Sequence, residues 1–280
     1  MKKINSYGKV VNKDIGIRVN ANESYKNISD YELRDITEEI GNVKFNRYPD
    51  DECNELREVY GKVIGVNKEN LIVGNGSDEM ISLIISSQIT RKKVVLTIDP
   101  DFSMYDFYTS VSDGVIKKYS TEQNGTFSVN KFINFGEKLS PKLIIFSNPN
   151  NPTGTVIKKE DVLRIVKSTD NIVIADEAYM EFSDESVVDE IENYDNLIVV
   201  KTMSKAFSMA GIRTGYLIAN KELVQTIEKV RPPYNLNSIS AFLATKALQQ
   251  KEKMFDYVKA LKNQRQKIYN GLLNMGVKVY

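Results

Sequence analysis

From about residue 55 onward the chain alternates between two spacings of apolar positions. Leu56, Val59, Tyr60 and Val63 recur at helical intervals, and Gly65 stands where such a helix would end. The run Leu71-Ile72-Val73 is stopped by Gly74, and Met80, Ile81, Leu83, Ile84 and Ile85 then mark a second helix. Val94-Val95-Leu96, Leu143-Ile144-Ile145-Phe146, Ile172-Val173-Ile174-Ala175, Leu197-Ile198-Val199-Val200 and Tyr216-Leu217-Ile218-Ala219 read as further buried strands. Residues 160–167 and 221–230 suit helices between them. Strands that are apolar at every position must be covered on both faces, and helices between them allow parallel connections. The pattern therefore predicts an α/β chain, a three-layer α/β/α sandwich around a mostly parallel central sheet.

Both ends depart from this text. Residues 1–30 are polar and weakly patterned, an expected N-terminal arm; 31–248 form the expected large domain. After Pro232-Pro233 helical spacing resumes over 238–250 and 253–274, and Val277-Lys278-Val279-Tyr280 reads as a strand that has just begun. A lone strand needs a sheet to join. Residues 249–280 are therefore expected to be a linking helix and the first strand of an incomplete small α+β domain.

Composition narrows the chemistry more than the fold. Across 280 residues, 38 Lys+Arg against 37 Asp+Glu leave a net charge of +1, which argues against nucleic acid or an anionic membrane as the main partner. No apolar run reaches the roughly 18–20 residues of a membrane span. The start, Met1-Lys2-Lys3-Ile4, lacks the apolar core of a signal peptide, so a cytoplasmic location is expected. The sequence contains no His and one Cys, Cys53. That removes His-assisted nucleophiles, His general bases, internal disulfides and Cys clusters, and no metal site is expected. Lys, Asp, Glu, Tyr, Arg or a bound cofactor must carry any catalysis.

In open α/β sheets ligands gather at the carboxyl ends of the strands. After Leu71-Ile72-Val73 comes Gly74-Asn75-Gly76-Ser77-Asp78-Glu79, small residues opening a helix, which suits a phosphate on free backbone N–H groups. The same residues also suit an ordinary turn capped by Ser77 or Asp78. The third such place, 147–154, packs two prolines and three asparagines into eight residues, more than a plain turn requires, and suggests asparagine side chains held towards a ligand. Asp176 ends an apolar strand, where a carboxylate needs a cation to offset its desolvation. Lys205 follows small and hydroxyl residues after the strand at 197–200, a place for a partly buried amine able to form a Schiff base with an aldehyde. One ligand would satisfy all four: pyridoxal 5′-phosphate, with its phosphate, ring nitrogen, phenolic oxygen and aldehyde.

The motifs carry a resemblance as well. Asn20-Ala21-Asn22-Glu23, Arg47-Tyr48-Pro49-Asp50, Gly76-Ser77-Asp78-Glu79, residues 148–154, Asp176-Glu177-Ala178-Tyr179, Ser204-Lys205-Ala206-Phe207 and Gly211-Ile212-Arg213 occur in that order. Over roughly 18–248 the chain resembles the fold-type-I aminotransferases, and among them the histidinol-phosphate aminotransferase branch. The resemblance implies that Lys205 binds the cofactor aldehyde and then moves the proton, with Asp176 on the pyridine nitrogen. It places Asn151 and Tyr179 on the phenolic oxygen and Ser77, Asp78, Ser204 and Arg213 around the phosphate, with Thr202 nearby. Glu79 falls in the same phosphate loop, where an acid serves as a cap or an orienting group. Phe102 matches the aromatic that stacks on the ring, preceded here by Pro100-Asp101 where the family has Pro-Thr. Tyr48 matches a tyrosine given across a homodimer interface to the partner's phosphate.

The activity implied is transamination from L-histidinol phosphate or a similar amino donor to 2-oxoglutarate, in histidine biosynthesis. Alternatives within the fold are a threonine-phosphate decarboxylase of cobalamin synthesis and an aromatic or broad-specificity aminotransferase. Outside it stands an inactive cofactor-binding remnant. The family continues into a small domain whose arginine clamps the substrate carboxylate, and no residue of this sequence matches that arginine.

Overall fold

The computed structural model describes residues 19–27 and 38–280. Most of the expected N-terminal arm lies outside the described residues. Seven strands form one sheet: β1 (Leu71–Asn75), β2 (Val94–Asp99), β3 (Val115–Ser120), β4 (Leu143–Ser147), β5 (Ile172–Asp176), β6 (Leu197–Thr202) and β7 (Thr214–Ala219). Their order is β1-β7-β6-β5-β4-β2-β3. All neighbours from β6 to β3 pair in parallel, whereas β7 runs antiparallel to both β6 and β1.

Side chains along each central strand alternate between two cores. Val173 and Ala175 of β5 and Leu197 and Val199 of β6 enter one core, whereas Ile174, Ile198 and Val200 enter the other. The first is closed by α1 (Asn54–Ile64), α4 (Val129–Leu139), α5 (Lys159–Lys167), α7 (Ser238–Leu248) and the start of α8 (Lys251–Asn274). The second is closed by α2 (Ser77–Gln88), α3 (Met104–Val111) and α6 (Lys221–Glu228). This is the three-layer sandwich that two-sided apolar strands require. Truncating a fully buried central residue such as Ile174 to Ala should cost about 2–5 kcal/mol, since one strand anchors both cores.

Two elements differ from the pattern of apolar runs. The edge strand β3 carries no such run: Val115 is exposed, and Lys117 and Lys118 blunt the free edge. At the other end, Val277-Lys278-Val279-Tyr280 forms no strand, because among the described residues it has no sheet neighbour to supply the ladder.

The parallel topology brings the carboxyl ends of β4, β5 and β6 side by side. Ser147 faces Asp176 in register, Asp176 faces Val200, and Thr202 faces Gly215 at the start of β7. The loops that leave these ends build the site.

Candidate active site

An inner chamber of about 450 Å³ opens at these strand ends, lined by Ser77, Asp78, Phe102, Asn151, Asp176, Tyr179, Thr202, Ser204, Lys205 and Arg213. Ten of the twelve residues expected at the site therefore converge on one cavity. Gly76 caps α2 with φ 85°, and Gly215 lets the helix start lie directly on β7. A Cβ on Gly215 would stand 2.2 Å from the Ser77 nitrogen. The N-terminal turn of α2, with its unpaired N–H groups and partial positive charge, is thus held at the chamber wall. Arg213 adds a full charge. It adopts the left-handed conformation, φ 54°, and its guanidinium bonds the Asp78 carboxylate at 3.0 Å and the Ser204 hydroxyl at 3.5 Å. Thr202 Oγ1 accepts from the Ser204 N–H at 3.1 Å and so fixes the turn leading to Lys205.

The opposite end of the chamber is acidic. Asp176 is buried at the end of β5; its Oδ2 accepts from the Tyr105 hydroxyl at 2.7 Å and its Oδ1 from the Ala178 N–H at 3.2 Å. Burial pushes its carboxyl up to about 6, against the pull of those hydrogen bonds. No cation pairs with it among the described residues. Nearby Asp101 accepts from the Phe102 N–H at 2.7 Å, the Ser147 N–H at 3.1 Å and the Ser147 hydroxyl, and burial lifts it to about 7.

Lys205 lies between the acid end and the outside. Its Nζ stands 5.4 Å from the Tyr179 ring centre and donates to the backbone carbonyls of Ala21 and Asn22 at 3.3 and 3.4 Å. Residues 19–27 form that part of the wall, tied by Asn22 Nδ2 to the Tyr179 hydroxyl at 3.0 Å and by the Ser24 hydroxyl to Tyr257 of α8 at 2.8 Å. A second, outer chamber of about 580 Å³ continues from here; it shares Asn22, Asn151, Tyr179 and Lys205 with the inner one and is walled by α8 through Leu261, Lys262 and Arg265.

Glu79 lines neither chamber and takes the orienting role instead: its Oε2 accepts from the Asn75 N–H at 2.6 Å and from Asn235 Nδ2 at 2.8 Å, bracing the loop from behind. One expectation is corrected. The asparagines of 147–154 are not jointly turned to a ligand. Asn148 bonds both backbone groups of Ile157, and Asn150 bonds Thr153 and Pro100, so these two stiffen the loop and Asn151 alone lines the inner chamber. Tyr48 lines neither of the two chambers; it is 80% exposed and stacked on Tyr234 at 4.6 Å. Tyr105 was not singled out by sequence. Its partner Asp176 is 71 residues away and meets it only through the strand order, so no local signal marks it.

The donor set fits pyridoxal phosphate. A buried carboxylate that no cation pairs with among the described residues, a helix N-terminus, an arginine, an amine and an aromatic ring all line one cavity. The sequence matches the family described as aminotransferase class I and II over residues 17–280. The chain belongs to this family. It is 39% identical over 265 residues to a histidinol-phosphate aminotransferase of Clostridium novyi (strain NT), covering 94% of this chain and 74% of that protein. Among solved structures, the histidinol-phosphate aminotransferase of Clostridium acetobutylicum is 28% identical with a TM-score of 0.77, covering 86% of this chain and 72% of that one. The enzyme of that name from Sinorhizobium meliloti, in complex with pyridoxal-5′-phosphate, shares the fold at a TM-score of 0.84 and 21% identity, over 91% of this chain and 70% of that one. Pyridoxal phosphate is the cofactor of this family. Among the described residues no helix is long and apolar enough to cross a membrane.

Proposed function

We propose that this chain transfers the amino group of L-histidinol phosphate, or a close chemical relative, to 2-oxoglutarate, as a cytoplasmic homodimer serving histidine biosynthesis. The observation that carries the reading is the place of Lys205, at the junction of the two chambers, with Asp176 below it and Arg213 beyond. The identity to the Clostridium novyi enzyme supports the choice of donor.

When bound, pyridoxal phosphate supplies an aldehyde conjugated to a protonated ring that draws electrons from the substrate Cα. The residues divide the remaining work. The Asp176 carboxylate would hold the proton on the ring nitrogen, and that cation would offset the desolvation of the carboxylate. Tyr179 and Asn151 would bind the phenolic oxygen, and Phe102 would cover the ring. Ser77, Ser204 and Arg213 would hold the phosphate, with Asp78 orienting the guanidinium and Thr202 fixing the Ser204 turn. Lys205, whose Nζ stands at the junction of the two chambers, is the amine that would hold the cofactor aldehyde and the base that would carry the substrate Cα proton. Lys262 and Arg265 on the outer wall offer cations to a phosphorylated donor and a dicarboxylic acceptor. Tyr48, exposed and away from its own cavity, is free to reach the phosphate of a partner subunit.

The test supplies the purified protein with pyridoxal phosphate, 2-oxoglutarate and either L-histidinol phosphate or O-phosphothreonine. Glutamate formed with the first donor supports the reading; carbon dioxide released from the second, or no reaction with either, overturns it. Tyr48→Phe should weaken cofactor retention in a dimer, and full retention by a monomer would contradict the shared site.

A further inference from the structure

A carboxyl that lines neither chamber is bonded to the backbone behind two residues of the inner one. Asp101 follows β2 and gathers four donors: the Phe102 N–H at 2.7 Å, the Ser147 N–H at 3.1 Å, the Ser147 hydroxyl, and Thr97 Oγ1 at 3.4 Å. Ser147, its proton given to Asp101, accepts on the same oxygen from the Asn151 N–H at 3.0 Å and from Asn150 Nδ2 at 3.2 Å. One carboxyl thus holds the backbone that presents Phe102 and, through one hydroxyl, the backbone that presents Asn151.

A link closes the ring on the other side. The Phe102 ring meets Tyr105 edge-on, 5.7 Å between centroids at 88°, and the Tyr105 hydroxyl bonds Asp176, which faces Ser147 in register. A half-buried acid with four converging donors is more than a turn after a strand needs. No arginine or lysine pairs with it among the described residues, so neutralising a neighbouring cation is not its use.

We propose that Asp101 is a positioning residue of the cofactor slot, fixing Phe102 and the turn at 147–151 at the separation that grips a flat aromatic ring. This rests on the reading of the chamber as a pyridoxal phosphate site. Removing the carboxyl leaves two backbone N–H groups and two hydroxyls to find other partners, and both walls then lose their common reference.

The test compares the full wild-type chain with Asp101→Ala and Asp101→Asn. Cofactor affinity is titrated, the visible circular dichroism of the bound cofactor recorded, and melting followed with and without pyridoxal phosphate. Asp101→Ala should bind the cofactor about tenfold more weakly, with reduced visible dichroism and a smaller gain in melting temperature on binding. A residue that merely stabilised the fold would lower both melting curves and leave that gain and the dichroism alone. Where Asp101→Ala does not fold, Asp101→Asn, which keeps the shape and one acceptor, decides by the same readouts. Variants that match wild type within about twofold, with unchanged dichroism, overturn the inference alone. A wild type that takes up no pyridoxal phosphate overturns the functional reading and the inference with it.

Discussion

The Tyr105 hydroxyl donates to Oδ2 of Asp176 across 2.7 Å, with both groups buried, while the Tyr105 ring meets the edge of Phe102. One aromatic therefore joins the acid at the chamber floor to the ring that walls it. Asp176 holds Tyr105 un-ionised in return: burial first, then the neighbouring carboxylates, raises the phenol well above its ordinary range. Tyr105→Phe keeps the packing and deletes a hydrogen bond to a charged group, a loss of about 1.5–3 kcal/mol. We expect a folded protein that turns over about tenfold or more slowly. Steady-state kinetics checks this, and an unchanged kcat would show that Asp176 needs no such support.

Asp176 should make the cofactor-free protein less stable as pH rises. Its folded value of about 6 lies above the ordinary 3.8, so between these pH values the folded chain binds a proton that the unfolded chain does not. Stability from this group is present below about pH 4 and lost as pH climbs through 6. Asp176→Asn removes the buried charge. Melted without cofactor, the variant should gain on wild type between pH 5 and pH 8, while losing transamination. A melting difference that is flat or falls over this range contradicts the burial argument.

Arg213 is aimed at a phosphate, so its effect should depend on the ligand having one. Arg213→Ala should weaken pyridoxal phosphate binding about tenfold or more and leave pyridoxal binding unchanged. Parallel titrations with the two vitamers measure this. Equal losses for both would mean that Arg213 shapes the pocket without contacting the phosphate.

Gly215 is where backbone meets backbone. A methyl group there would lie 2.2 Å from the Ser77 nitrogen and 2.4 Å from the Gly76 carbonyl carbon, and neither atom can move without shifting the start of α2. Gly215→Ala should therefore lower the melting temperature and impair cofactor uptake together. Thermal melts and a cofactor titration on the same preparation check both, and a variant that keeps either would show slack in the helix–strand contact.

The central sheet was legible because β4 to β7 are apolar at nearly every position, a pattern that only a doubly covered strand sustains. β3 was not, since an edge strand with Lys117 and Lys118 lacks that pattern. Within the site, Lys205 and Asp176 could be read from strand-end position and chemical type, whereas Arg213, just before β7, came only with the resemblance. Asn148, Asn150 and Glu79 could not be sorted from Asn151 by type alone, because polar side chains beside a ligand loop serve the loop as often as the ligand. Asp101 and Tyr105 stayed hidden for a related reason: their partners, Ser147 and Asp176, are distant in the chain and meet them only through the order of β2, β4 and β5.

Borohydride reduction of the protein with pyridoxal phosphate, followed by peptide mass spectrometry, tests the central claim most directly. One pyridoxyl group per chain is expected, on Lys205, and none on a Lys205→Ala variant. Labelling spread over surface lysines, or retained in that variant, would contradict it.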